Sequence, residues 1–477
     1  MAEDGGSPWT LTKVCRAFRT AALSTPRIWG GISLWGGDWL ASGVYTRSTT
    51  RTVRWKLGKE NCFNAKQVRE ALNRAKAAPL DLAINWRWNY SRTINDMAKE
   101  MITMVAGERL SQWRSLEFAV EGDWDLGDIC SGSLEGLTFL RLDSFHQGLY
   151  DCACKTARNL RNVEIHMRNQ PLSKLTNAPW WQHVHRLLLA VPLDPAGSRT
   201  VQCHSAVDIL SKAVELEDLN VQFGHHSDFI PIQKRLRFFR MKKLILSNSA
   251  ALLRNISAPS LTHLEIQRGG WGDGASFKPG SIFFPAVTHL SVFSSAEAVL
   301  AAFRCPSLVQ LCLGAYPGTR IWDDSNRMID SAWYPKKNSR KHLKPSVLKI
   351  EGVPFRWGVL LDLLRFSLHD CLRELSLVDI PLSIQFFKAL TAVTPQNVIC
   401  ENLEKLSIIY SPGLDKSVRI MGWDEGKAVL KSIFTLRREQ NLALRRVTAQ
   451  WHQPRMVRVE FGDDDESGMS GVSAGAA

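Results

Sequence analysis

Cysteine and histidine are the side chains of this sequence best able to do chemistry, as metal ligands, nucleophiles or bases. The cysteines are scattered, and Cys152 and Cys154 are the one close pair. A zinc module needs two such pairs at suitable spacing, and the sequence has only one. His183 and His185 could supply two ligands, but no third ligand follows at a matching spacing. We therefore predict no metal site.

Motifs for catalysis and for nucleotide binding are missing from the sequence. It has no G-x-x-x-x-G-K-[ST], H-E-x-x-H or G-x-S-x-G segment and no set of kinase motifs. The glycine-rich run at residues 269–274 does not fit a dinucleotide fingerprint, and we interpret it as a loop. We predict a protein that is not an enzyme, with no catalytic residues and no cofactor.

The elements that position the side chains follow a repeated pattern: apolar, two residues, apolar, one residue, apolar. Because side chains alternate across a strand, the last two apolar residues of each copy share one face of a short strand. One such unit cannot cover its own apolar face, so neighbouring units must stack. The copies are Trp113/Leu116/Phe118, Leu137/Leu140/Leu142, Leu160/Val163/Ile165, Val184/Leu187/Leu189, Leu216/Leu219/Val221, Met241/Leu244/Leu246, Leu261/Leu264/Ile266, Val287/Leu290/Val292, Leu308/Leu311/Leu313, Leu372/Leu375/Leu377, Leu403/Leu406/Ile408 and Leu444/Val447/Ala449.

Helices are predicted between several copies, where apolar residues are spaced at i, i+3 and i+4. These segments are residues 206–216, 296–303, 357–368, 384–393 and 427–438. An alternation of short strands with helices predicts an α/β fold.

This pattern resembles the leucine-rich-repeat family of the strand-plus-helix kind. The resemblance implies an irregular leucine-rich-repeat solenoid, in which short parallel strands alternate with helices. The Asn or Cys that usually follows the strand is replaced, for example by Phe145 and Pro192, so we expect uneven curvature. In such solenoids a partner contacts the residue between the paired apolar positions. The concave-face candidates are Arg141, Glu164, Asn220, Glu265, Ser291, Ser376 and Ser407.

A short helical segment precedes the repeat, and its residues match a known motif. The matching residues are Val14-Cys15-Arg16, Arg19, residues 22–26 and Trp29, with Phe18 at a position usually held by Trp. The run resembles the C-terminal half of an F-box, as found in fungal F-box/leucine-rich-repeat proteins. The resemblance implies a small helical F-box-like remnant before the solenoid, and makes Leu11, Val14, Phe18 and Trp29 candidates for contact with a ubiquitin-ligase adaptor subunit.

The F-box resemblance implies a substrate receptor of a cullin–RING ubiquitin ligase, a non-enzymatic protein–protein interaction module. Its partners would be the adaptor subunit and a target protein whose identity the sequence does not give. An F-box normally opens with a Leu-Pro-x-Glu helix, which this sequence does not contain. Either the gene model is truncated and adaptor binding is retained, or the chain is a repeat scaffold that has lost its coupling to a ligase.

The net charge of +14 raises a third possibility, a basic binder of nucleic acid or acidic lipid. Basic residues cluster at 234–243, which we interpret as a solvated flank of the repeat, and at 336–344, either a nuclear-import signal or a solvated loop. The concave-face candidates mix acidic, basic and neutral types, which argues against a phosphate-binding face. Nucleic acid is therefore the less favoured partner.

The composition also predicts the location and the domain organisation. The N-terminal residues lack the basic and apolar regions of a secretory signal, and no apolar stretch is long enough to span a membrane. We expect a cytoplasmic or nuclear protein that is not secreted and has no membrane partner. The predicted regions are a partial F-box-like segment at 1–34, a linker with a first helix–strand unit at 35–100, a solenoid at 101–461 and a disordered acidic tail at 462–477.

Overall fold

The computed structural model divides the chain into two compact units. Unit 1 comprises Met1–Gly224 and Ile230–Phe238, and unit 2 comprises His225–Phe229 and Phe239–Ala477. The structure describes residues 15–29, 31–36, 53–57, 65–86, 103–104, 109–120, 132–143, 147–166, 172–191, 199–223, 234–267, 278, 280–293, 300, 302–314, 343–352, 357–380, 382, 384–391, 399–410, 423–440, 442–451 and 457–462.

Parallel strands dominate unit 1. Hydrogen bonding gives the spatial order β2-β1-β3-β4-β5-β6-β7-β8, and every neighbouring pair is parallel. From β3 onward the order in space is the order in sequence, as expected when each repeat stacks on the previous one. The strands of unit 1 are β1 Gly31–Gly36, β2 Val53–Leu57, β3 Leu80–Trp86, β4 Trp113–Val120, β5 Phe139–Leu142, β6 Asn162–His166, β7 Arg186–Val191, β8 Asp218–Phe223 and β9 Leu236–Arg237.

Unit 2 repeats this arrangement. Its main strands pair in the order β10-β12-β14-β16-β17-β18-β19-β20, all parallel, and β21 closes the row antiparallel to β20. The short strands β13 and β15 form a separate parallel pair. The strands are β10 Lys243–Ser247, β11 Ile256–Ser257, β12 His263–Gln267, β13 Ile282–Phe283, β14 His289–Phe293, β15 Phe303–Arg304, β16 Gln310–Gly314, β17 Val347–Glu351, β18 Glu374–Val378, β19 Lys405–Ile409, β20 Arg446–Trp451 and β21 Val457–Gly462.

Helices occupy some of the connections, and single helical turns occupy others. The α-helices are α1 Arg16–Ser24, α2 Ala65–Ala75, α3 Gln147–Thr156, α4 Arg199–Lys212, α5 Trp357–Asp362, α6 Ile384–Thr391 and α7 Trp423–Glu439. A π-helical turn, Leu363–Ser367, continues α5. The 3-10 turns are Pro26–Trp29, Leu110–Gln112, Leu172–Leu175, Pro179–His183 and Ala250–Arg254. None of the described helices is both long and apolar enough to cross a membrane.

The paired apolar positions of the repeat form the core. In β12, for example, Leu264 and Ile266 are buried while the residues on either side are more accessible, and most of the other described strands show the same alternation. The first apolar residue of each copy, such as Leu261, is also buried, because the chain turns inward just before the strand. The fold is therefore α/β with parallel, repeated strands, as the sequence predicted.

A ladder of backbone hydrogen bonds joins consecutive repeats just before each strand. The carbonyl of Thr262 accepts hydrogen bonds from the N–H groups of both Thr288 and His289, at 3.0 Å each. The carbonyl of Thr288 accepts from two N–H groups of the following repeat in the same way, and equivalent bonds recur in unit 1. Each bond contributes about 1 kcal/mol net, so the ladder ties these repeats to their neighbours, and hydroxyl groups such as that of Thr262, which donates to the carbonyl of Lys242, add to it.

Three of the expected helices differ in extent from those observed. Helix α7 begins at Trp423, four residues before the expected start at 427, and ends at Glu439. Helix α4 begins seven residues before the expected start at 206 and ends at Lys212, because Leu216 instead fills the first apolar position of the next repeat. In the expected helix 296–303, residues 300 and 302 are helical but Phe303 starts β15, where pairing with β13 extends the backbone. Residues 269–274, 336–342 and 463–477 lie outside the described residues.

Candidate partner-binding surfaces

The strand register places the concave-face candidates side by side within each unit. On the accessible side of each sheet, which we call the outward face, the middle residues of successive strands are direct partners across the ladder. Neighbouring members are therefore separated by about 4.8 Å, the distance between paired strands. The row in unit 1 is Glu117, Arg141, Glu164, Leu188 and Asn220, and the row in unit 2 is Ile245, Glu265, Ser291, Cys312, Lys349, Ser376 and Ser407.

Arg141 is the centre of a charged cluster on the outward face of unit 1. Its Nε donates to Asp143 Oδ1 at 3.1 Å, and its Nη1 lies 3.8 Å from Glu164 Oε2. Burial acts to lower the pKa of Arg141, but the charges of Asp143, Glu164 and Glu117 and the hydrogen bond to Asp143 raise it overall. Burial raises the pKa of Glu164, in spite of the neighbouring guanidinium. Arg141 and Glu164 are thus bound to each other within the protein.

Two histidines stack on the outward face of unit 2. The rings of His263 and His289 lie 4.3 Å apart and 8° from parallel. Thr262 Oγ1 donates to the carbonyl of Lys242, so it accepts a hydrogen bond from Nδ1–H of His263 at 2.9 Å. This tautomer leaves the lone pair on Nε2. Burial, with smaller contributions from His289 and Lys243, lowers the pKa of His263.

The stacked histidines do not form a metal site. Two parallel imidazole rings direct their Nε2 lone pairs in parallel rather than toward one point, so they suit a single ion poorly. Among the residues that the structure describes, no group of three or more His, Cys, Asp or Glu side chains is placed to hold a metal ion.

The rest of the outward face of unit 2 carries both charge signs. Lys349 pairs with Glu351 at 2.7 Å, and Glu374 pairs with Lys405 of the neighbouring strand. Gln267 donates to the Glu265 carboxylate on the same strand. Opposite charges therefore neutralise one another locally on this face.

A close contact between an aromatic ring and the backbone lies on the same face. Gly314, the last residue of β16, lies against the ring of Phe293 on β14. A Cβ atom at Gly314 would overlap that ring. Next to it, Cys312 is buried, and burial raises the pKa of its thiol to about 11. Cys312 is therefore a packing residue of the row.

The structure treats the four adaptor-facing candidates at the start of the chain differently. Leu11 and Val14 lie outside the described residues. Phe18 on α1 is 53% exposed. Trp29 is only 1% exposed, and the Arg74 guanidinium of α2 lies 4.6 Å from its ring centroid. Trp29 is thus a core residue in this structure, and Phe18 is accessible; these are the two candidates that the structure describes.

A cavity that the sequence did not predict lies among the connections of unit 2. Its volume is about 450 Å³, and its lining includes Leu253, Arg254, Ile256, Lys278, Ile282 and Phe283. We call it the basic cavity. No sequence signal pointed to it, because its lining residues come from two separate connections of unit 2.

Comparisons with known proteins give no assignment. No protein-family model matches the chain, and no curated protein matches it. A crystal structure of a Bacteroides fragilis protein aligns with a TM-score of 0.29 and 14% sequence identity, over 71% of this chain and 74% of that chain. A likeness of this size carries no argument about fold or function.

Proposed function

We propose that the protein is a leucine-rich-repeat partner-binding module with an F-box-like head, which presents a target protein to a cullin–RING ubiquitin ligase. The observation that carries the proposal is the register of the strands. It aligns the middle residues of successive repeats into continuous rows, as between Glu265 and Ser291, on an accessible face. Such a surface suits an extended protein partner.

The exposure of α1 supports a docking role for the head. Every residue from 15 to 21 has an exposed side chain, and Phe18 is the large apolar residue among them. The exposed Phe18 side chain would gain free energy if it became buried against a partner. With its matching residues Cys15, Arg16 and Arg19, this helix is the proposed contact with the ligase adaptor.

Co-purification with a cullin–RING adaptor tests the proposal. The full chain should retain the adaptor, and Phe18→Asp should abolish retention by placing a charge in an apolar contact. Phe239→Asp is the matched control, because Phe239 is 68% exposed but belongs to unit 2. Equal retention by both variants would remove the proposed contact.

The alternative function, a scaffold without ligase coupling, has its own outcome in this experiment. If neither the present chain nor an N-terminally extended transcript retains an adaptor, the ligase assignment is lost and the scaffold remains. A basic nucleic-acid or acidic-lipid binder would instead show binding that weakens steeply with salt. The neutralising pairs on the outward face, such as Lys349 with Glu351, do not favour phosphate binding there.

A further inference from the structure

We propose that the two stacked histidines of unit 2, His263 and His289, act with Glu265 to bind an arginine side chain of the partner protein, and that acidification releases it. The proposal rests on the partner-binding role proposed above and deepens it, but it does not depend on coupling to a ligase. The three side chains lie on the outward face of the neighbouring strands β12 and β14. Each of them can accept a hydrogen bond from a ligand.

The two histidines are held by the same set of contacts. The tripeptide Thr-His-Leu occurs at 262–264 and again at 288–290, and the strand register pairs the two copies. Thr288 Oγ1 donates to the carbonyl of Thr262 at 3.2 Å, so it accepts from Nδ1–H of His289 at 2.9 Å. Thr262 accepts from His263 in the same way. Each ring therefore carries a lone pair on Nε2, directed away from its threonine, and the ring centroids are 4.3 Å apart.

Glu265 adds a negative charge to these acceptors. It follows His263 by two residues on β12, so it lies on the same face about 7 Å further along the strand. The Gln267 amide donates to Oε1 of Glu265, which orients the carboxylate without neutralising it. The arrangement therefore suits a ligand that carries positive charge and donates several hydrogen bonds at once.

A guanidinium group meets this requirement better than an ammonium group does. It holds five N–H donors in a rigid plane, it stacks on flat rings, and its donors diverge far enough to reach an imidazole Nε2 and a carboxylate together. An ammonium group directs its donors from a single point. The register partner of His289 on β16 is Gln310, whose side-chain amide oxygen is a further acceptor. Arginine is therefore the side chain that the group of acceptors fits.

The charged and titratable groups around the stack set its protonation. Lys243 pairs with His263 in the register, on the side away from His289. Burial, with smaller contributions from His289 and Lys243, lowers the pKa of His263, so its ring is neutral and accepts at pH 7.5. On β16, burial raises the pKa of Cys312 to about 11, so its thiol stays protonated. The other charged groups on this part of the outward face are Glu265 of β12 and, on β17, the paired Lys349 and Glu351.

Acidification removes the acceptors. An Nε2 atom that takes up a proton becomes a donor and gives its ring a positive charge, which repels a guanidinium. Histidine ordinarily titrates near pH 6.5, and the lowered pKa of His263 places its own protonation at more acidic pH. We expect release of the arginine between pH 7.5 and pH 5.

Selection from a displayed library of random heptapeptides tests the proposal. The immobilised full chain is loaded at pH 7.5 and eluted at pH 5, and the eluted sequences should be enriched in arginine. A synthetic peptide of the enriched sequence should bind Glu265→Gln at least about tenfold more weakly than the native chain at pH 7.5, because a charged acceptor is lost. The matched control is Glu374→Gln, which removes a carboxylate from the same face four strand pairings from β12 and should leave the affinity unchanged.

A second variant tests the role of the histidines. Glutamine keeps a hydrogen-bond acceptor but does not titrate, so His263→Gln/His289→Gln should still bind the peptide at pH 7.5. The native chain should lose at least about tenfold in affinity between pH 7.5 and pH 5, whereas the double variant, which retains Glu265, should change by less than about threefold. Circular dichroism at both pH values confirms that each variant is folded.

Three results would overturn the proposal. One is selection without enrichment of arginine. A second is equal binding of a peptide in which lysine replaces arginine, which would leave only a general attraction to cations. The third is a loss of affinity on acidification that is as large in the histidine double variant as in the native chain. Phe18→Asp should leave peptide binding unchanged, so failure of the adaptor contact and failure of this site are distinguishable.

Discussion

Replacing Arg141 by methionine tests whether this residue stabilises unit 1 or remains available to a partner. Methionine retains much of the apolar stem but removes the charge and the donors. The change removes the guanidinium that lies 3.1 Å from the Asp143 carboxylate and 3.8 Å from the Glu164 carboxylate. The Asp143 side chain is 9% exposed. Because the Asp143 carboxylate is screened from water, the loss of its partner should appear directly in stability.

The expected magnitude lies between two limits. Removing one partner of a fully buried ion pair costs about 3–5 kcal/mol, and an exposed pair is worth about 0.2–1 kcal/mol. The Arg141 side chain is 14% exposed, close to the buried limit, but Glu164 at 32% is not. We expect Arg141→Met to cost about 2 kcal/mol, which for a unit of this size lowers the melting temperature by about 4–8 °C.

The cost of Arg141→Met should depend on pH in a defined direction. Burial raises the pKa of Glu164 in the folded protein, while Arg141 lowers it. Without Arg141 the folded pKa rises further above the unfolded value, so the folded state binds more protons. Stability of the variant therefore falls as pH rises from the unfolded carboxyl pKa through the folded one. The difference between native protein and variant should be largest at neutral pH and should shrink on acidification.

Thermal melts followed by circular dichroism, measured from pH 4 to pH 7.5, provide the assay. The control is Lys405→Met, which breaks the pair with Glu374 on the outward face of unit 2. Those side chains are 49% and 39% exposed, so the control should cost about 0.5 kcal/mol or less. If Arg141→Met is no more destabilising than the control, the cluster does not stabilise unit 1. Arg141 would then be available to bind a partner.

Three further predictions follow from single contacts. Gly314→Ala should cost about 1–3 kcal/mol, because the new Cβ meets the Phe293 ring; Phe293→Ala should remove most of that cost in a double-mutant thermal melt. Because the pKa of His263 is lowered by burial, the unfolded chain binds the extra proton first, so stability should fall as pH drops through about 6.5; His263→Gln should flatten this profile. Burial raises the pKa of Cys400 to about 12, so its thiol should react with iodoacetamide at pH 8 only after unfolding, unlike the exposed Cys15.

The sequence predicted the repeated strands because their signal is local. A pair such as Leu264 and Ile266 must face one side of a strand, and the same spacing recurs in each copy. The backbone ladder had no comparable signal, because every residue has a carbonyl group. The residues that accept in consecutive repeats of unit 1 include Thr138, Arg161 and His185, which share no side-chain chemistry.

The sequence predicted which residues occupy the candidate site, but it did not predict which neighbours their side chains contact after folding. Arg141 and Glu164 occupy the expected row, but strand pairing puts them next to each other and next to Asp143. Trp29 is part of the run that resembles half of an F-box, yet it packs under Arg74 in the core. A motif specifies which residue types occur, but a tryptophan at a motif position can lie either in the core or on a contact surface. Only the structure shows that Phe18 is exposed and that Trp29 is buried.

The distribution of charge decides which surface a partner can use at least cost. At the Arg141 cluster a partner must first replace contacts that Asp143 and Glu164 already make, so the gain from a new ion pair is largely cancelled. At the basic cavity the apolar floor formed by Leu253, Ile256 and Ile282 offers a partner burial that salt does not screen. The affinity contributed by apolar burial there should persist at high salt, and it should disappear when Phe283 is replaced by serine.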